Sequence, residues 1–253
     1  MSDDAWMKFY YANPRPERFA DEVRRIAAEP GLEAPGHRFS VATFLGRVMA
    51  AHPERVASWL EALGDLRGPA RDTLHTAAWL SDTAEGRSFL AASRAAPGLR
   101  RKPPDLLTRA VGDPVILDAL WSHYFATGDE RAVRRVVSAL EHLADVGAAA
   151  AFPTSAKTRE ERARAVRDAL YQAASWSLTS LAKEHPPLAA LCDRLLDAAD
   201  LTPNERDGST RSSAIARPTR ALGVRSAASS SRAQSAASGG CSFAWLVSDH
   251  EAA

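Results

Sequence analysis

Apolar residues recur at helical spacing along roughly the first 200 positions of the chain. Phe19, Val23, Ile26 and Ala27 form one stripe, Val41, Phe44, Leu45, Val48 and Met49 a second, and Val56, Trp59, Leu60 and Leu63 a third. A shorter segment runs from Leu74 to Leu80. Ile116, Leu117, Leu120, Trp121 and Tyr124 make a further face, and Val133, Val136, Val137, Leu140 and Leu143 follow the same period. Val166, Leu170, Ala173, Ser177 and Leu181 predict a long helix over about 159–183. Leu188, Leu191, Cys192, Leu195 and Leu196 predict a last one. No comparable run alternates with period two, so no strand is expected.

Start and stop signals agree with the stripes. Pro16, Pro53, Pro69, Pro114 and Pro187 each stand where a first helical turn should begin, and Asp113 before Pro114 is a fitting N-cap. Thr158 with Glu161 spells a capping box. Gly64, Gly128 and Gly147 fall near predicted helix ends. Pro16-Glu17-Arg18-Phe19 and Pro53-Glu54-Arg55-Val56 echo each other at a spacing of 37 positions, a value that suits a helical-hairpin repeat, but the echo does not return at the next period. The fold class predicted is all-α: an irregular helical-hairpin array of about eight to ten short amphipathic helices, with a regular solenoid as its limiting form.

The pattern stops near residue 206. Thr202, Pro203 and Glu205 announce another helix that the following residues do not continue: Asp207-Gly208-Ser209 leads into a run rich in Ser, Ala and Arg. Serine occurs 11 times in the 50 residues from Asn204 and 12 times in the 203 before them, a bias that works against a packed core. The expected organisation is a helical domain over 1–206 and a tail over 207–253. That tail is read as either natively disordered or the product of a reading-frame shift in GC-rich DNA, a source that four lysines against twenty-eight arginines also suggest.

Charge adds little to this picture. The chain to Pro203 carries 26 basic and 27 acidic residues, the rest 6 and 4, so net charge indicates no nucleic-acid partner. Arg134-Arg135 and Arg100-Arg101-Lys102 are short and read as solvated faces. Cys192 and Cys241 lie far from any disulfide or zinc spacing, and Cys192 sits in a leucine stripe as a small hydrophobe. No apolar run approaches the length of a membrane span, and the opening residues lack a signal-peptide pattern, so a cytoplasmic protein is expected unless the true start lies upstream.

The search for chemistry returns little. Phosphate-binding glycine loops, the two-histidine zinc helix, the nucleophile elbow and the calcium loop are missing from the sequence. His37, His52, His75, His123, His142, His185 and His250 are scattered, mostly at helix borders. No catalytic, metal-binding or cofactor-binding residue is assigned, and no cofactor is expected.

Two aromatic segments stand out. Trp6-Met7-Lys8-Phe9-Tyr10-Tyr11 is expected to be a cap that buries its rings on neighbouring helices, with a binding hot spot as the other reading. In Trp121-Ser122-His123-Tyr124-Phe125, the first tryptophan is expected in the core. Tyr124 and Phe125, with His123 and Asp129 around the Thr127-Gly128-Asp129 turn, are expected to remain partly accessible as a partner-binding edge.

The segments Trp6-Met7-Lys8-Phe9-Tyr10-Tyr11-Ala12-Asn13-Pro14-Arg15-Pro16 and Leu120-Trp121-Ser122-His123-Tyr124-Phe125-Ala126-Thr127-Gly128 resemble a family of bacterial all-helical proteins without an assigned activity. Ala78-Trp79-Leu80-Ser81-Asp82-Thr83 and Ala173-Ala174-Ser175-Trp176-Ser177-Leu178 are similar to it as well. The resemblance covers about residues 5–206 and implies a helical fold, with a further helix after Pro203 that this chain lacks. The expected function is that of a non-catalytic helical module binding a protein or peptide partner. The alternative is an enzyme or small-ligand binder whose pocket is assembled from distant helices.

Overall fold

A computed structural model describes residues 5–93, 95–145, 158–196 and 201–207. Among the described residues the chain is all-α, without a strand. The helices are α1 (Ala5–Phe9), α2 (Phe19–Ala27), α3 (Pro35–Ala51), α4 (Pro53–Ala62), α5 (Gly68–Ser81), α6 (Ala84–Ala92), α7 (Pro114–Thr127), α8 (Glu130–Ser138), α9 (Arg159–Glu184) and α10 (Pro186–Leu196). No helix among them is long and apolar enough to cross a membrane.

Contacts divide the chain into two units, Met1–Val111 with Val115–Arg135, and Gly112–Pro114 with Val136–Ala253. The boundary falls inside α8.

In the first unit α3 and α7 are buried on most sides, as a helix must be when apolar or small residues occupy more than one face. α3 packs most extensively on α5. Gly46 permits this: a Cβ built there would stand 2.8 Å from the carbonyl oxygen of Ala77 and 2.9 Å from Cβ of Leu80. Arg47, the next residue, reaches the last turn of α5 and donates to the carbonyl of Leu80, placing a cation at the negative pole of that helix. α3 also meets α7 through polar groups, Ser40 Oγ lying 2.8 Å from Ser122 Oγ and 3.2 Å from the Asp118 carbonyl oxygen.

The aromatic N-terminus belongs to this core. The ring of Trp6 meets Tyr10, Phe19 and Phe44 edge-on at centroid distances of 5.4, 6.4 and 5.3 Å. Phe19 stacks on Trp59 at 4.2 Å. The polar ends of the buried rings are satisfied, as buried indole and phenol groups require: Trp6 Nε1 donates to the Arg15 carbonyl at 3.2 Å, and the Tyr10 hydroxyl lies 3.2 Å from Nε2 of His52. Trp6, Met7 and Tyr10 are buried as the expected cap requires, whereas Phe9 is 36 % exposed.

The second unit is built on α9, which packs against a 3-10 segment, Ala139–Asp145, and against α10. Thr158 and Glu161 exchange both hydrogen bonds of the capping box, at 3.1 and 2.9 Å.

The structure departs from the sequence pattern at several places. Pro16 opens a 3-10 turn, Pro16–Arg18, which leads into α2, whereas Pro53 opens α4 directly, so the two echoing segments fold differently. α1 and α6 had no predicted counterpart. The helix announced at Thr202 does begin. Glu205 N donates to Thr202 Oγ1 at 3.2 Å, Thr202 N donates to Glu205 Oε2 at 2.6 Å, and residues 203–207 make a helical turn. Asn204 Nδ2 ties that turn to the Glu141 carbonyl at 3.1 Å. The tail from 208 on, Gly147, Cys241 and His250 lie outside the described residues.

Candidate functional site

The residues singled out as a partner-binding edge come together, but not on the surface. Tyr124 and Phe125 are each 3 % exposed, so the partial accessibility expected of them is not found. The cause is Tyr11. Its ring lies 5.0 Å from that of Tyr124 and 6.4 Å from that of Phe125, and its backbone N–H donates to the Phe125 carbonyl at 2.9 Å. The two aromatic segments of the sequence thus cover each other at the end of α7.

His123 is also buried. Its Nε2 stands 3.6 Å from Oδ2 of Asp129, and its Nδ1 has no hydrogen-bond partner among the described residues. The turn that brings Asp129 back is made by Gly128, whose φ of +70° is in the left-handed region open to glycine, and by Thr127, whose hydroxyl accepts from Asp129 N at 3.1 Å. Asp129 then caps α8. Its Oδ1 accepts from Arg131 N at 3.0 Å, and the Arg131 guanidinium grips both carboxylate oxygens at 2.7–3.1 Å. The Arg131 hydrogen bond first of all holds the Asp129 carboxyl below its ordinary range. This carboxylate has an architectural task.

The buried imidazoles set a pH dependence. Loss of water lowers the pKa of His37, His75 and His123 below the ordinary 6.5; Arg71 adds to the effect at His75, and Arg47 at His123. The unfolded chain takes up these protons near 6.5, whereas the folded chain resists them. Stability is therefore complete above that value and is lost as the pH falls through the window beneath it. The melting temperature should drop as the pH falls from about 6.5 to about 5.5, above the range in which carboxylates titrate. A flat profile over that interval would contradict the burial of these rings.

Cys192 on α10 is partly covered, and burial pushes its thiol up to about 11, with Asp193 adding to the shift. At neutral pH the thiolate, the reactive form, is then scarce. Maleimide labelling read by peptide mapping should be at least roughly tenfold slower at Cys192 in the native protein than in denaturant. Equal rates would show the thiol to be free.

A second place was not legible in the sequence. α4 and α6 leave between them an open groove of about 490 Å³, lined by Ala57, Leu60 and Glu61 on one side and Ala84, Glu85, Ser88 and Phe89 on the other. Half-buried Phe89 and the exposed Ala57 and Ala84 supply its apolar surface, with the buried Leu60 at its floor. α6 is held by Thr83, whose hydroxyl accepts from Gly86 N at 3.1 Å as an N-cap. Gly86 lets this helix approach α5, a Cβ there falling 2.6 Å from the Ala78 carbonyl oxygen. The available signal was Thr83 ahead of Ala84-Glu85, a helix start that no wide apolar stripe followed.

Among the described residues no group of three or more His, Cys, Asp or Glu side chains is placed to hold a metal ion. No family model, curated protein or solved structure matches the chain, so the bacterial-family resemblance brings no residue role with it.

Proposed function

We propose that this chain is a non-catalytic helical interaction module and that the groove between α4 and α6 receives a segment of a protein or peptide partner. The observation that carries this reading is the groove itself, an accessible, mostly apolar trough between two helices of one unit. A trough between two helices accepts the ridge of a third. His123, Tyr124, Phe125 and Asp129 then act at one remove, by fixing the end of α7 within the same unit.

Random peptides displayed on phage and selected on the full chain test this. Ser88 is exposed on α6 and faces the groove, so Ser88→Trp fills the trough without disturbing the core. Peptides enriched on the parent protein should bind Ser88→Trp at least roughly tenfold more weakly at an unchanged melting temperature. Failure to enrich any peptide, or equal binding to both proteins, overturns the reading.

A further inference from the structure

We propose that the segment received by the α4–α6 groove is a short amphipathic helix bearing lysine or arginine beside its apolar ridge. This rests on the groove being a docking site and adds the chemistry of what docks. The groove is apolar between its walls and acidic along them, since Glu61 and Glu85 both line it. Neither has an ion-pair partner among the described residues.

The neighbouring cations are engaged elsewhere. Arg24 grips Asp65 at 2.9–3.0 Å and donates to the Ala62 carbonyl at 2.6 Å. Arg87 holds Asp82 at 2.8 Å, and Arg55 lies 3.8 Å from Glu54. Two carboxylates without an ion-pair partner among the described residues, on either wall of an apolar trough, favour an occupant that brings positive charge.

The two are not equivalent. Glu85 stands in the first turn of α6, where the helix dipole supplies partial positive charge, whereas Glu61 stands in the last turn of α4, where the dipole adds to the negative potential. The cation is best placed over Glu61. Size sets the rest. Ala57 to Glu61 and Ala84 to Phe89 extend for about 6 and 7.5 Å at the helical rise, so one to two turns of the partner fit, with an apolar pair at i and i+3 or i+4.

Two synthetic peptides of about twelve residues decide it, one with leucines at helical spacing and lysines elsewhere, the other with glutamates replacing the lysines. Titrated against the full chain by fluorescence anisotropy at low salt, the lysine peptide should bind roughly tenfold tighter than the glutamate peptide, the value of two exposed charge pairs. Added salt should narrow the difference. Glu61→Lys should reverse the preference, Glu85→Lys should weaken it less, and Ser88→Trp should abolish binding. Equal binding of both peptides, still abolished by Ser88→Trp, overturns the basic-partner inference and leaves the groove as a docking site. Binding that ignores Ser88→Trp, or no binding of either peptide, overturns the groove reading and this inference with it.

Discussion

Trp121→Ala should remove about 3–5 kcal/mol of stability, the loss measured when a large aromatic side chain is cut from a core that cannot collapse around the void. Trp121 is 0 % exposed, and its ring lies 6.1 Å from Phe125 in a stacked arrangement and 6.3 Å from Tyr124. A domain of ordinary stability has about 5–15 kcal/mol in all, so roughly a fifth or more would be lost. Phe125→Ala should come close to the same cost, because its ring is buried and lies against those of Tyr11 and Trp121. Urea unfolding followed by circular dichroism measures both. A Phe125→Ala protein nearly as stable as the parent would show that the end of α7 is open after all. Trp121→Phe, which keeps most of the ring volume, should retain most of the stability.

Gly46→Ala should destabilise although alanine is the better helix former. In an exposed helix the exchange gains about 1 kcal/mol. Here the new methyl group would meet the Ala77 carbonyl oxygen at 2.8 Å and Leu80 Cβ at 2.9 Å. The first obstacle is backbone inside α5 and cannot swing aside, so α3 and α5 must separate, an overpacking cost of about 1–3 kcal/mol or more. Clash outweighs propensity, and Gly46→Val should be worse because it adds two further methyl groups. Gly98→Ala is the control, having nothing within 4 Å of its added Cβ. Equal melting temperatures for Gly46→Ala and Gly98→Ala would refute the close approach.

How much of this was legible in the sequence varies by element. α9 was plain because a capping box, a long stripe and a proline-marked end agreed with one another. α7 was plain from Pro114 and the packed apolar run behind it. α1 has only five residues and α6 only nine, with Gly86 and three alanines among them, so neither gives a stripe wide enough to see.

The groove was silent for a related reason. Its walls include alanine and serine, and its existence depends on the spacing of two helices rather than on any residue in either. Tyr124 and Phe125 were misjudged because their cover, Tyr11, lies more than a hundred positions away, beyond the reach of local pattern. At Thr202 the capping box is plain in the sequence, and its own hydrogen bonds hold a helical turn whatever the composition that follows.

The hydrogen bond from Tyr11 to Phe125 also sets an order of events during synthesis. Trp6 and Tyr10 can dock on α2 and α3 early, but the contact of Tyr11 with the end of α7 forms only once residue 125 has been made, 114 residues after Tyr11. At the usual rates of translation that is a wait of roughly 6–23 seconds. Throughout it, the surface that α7 will cover stays wet and sticky. Slowing elongation upstream of α7 should therefore lower the soluble yield without altering the stability of the finished protein.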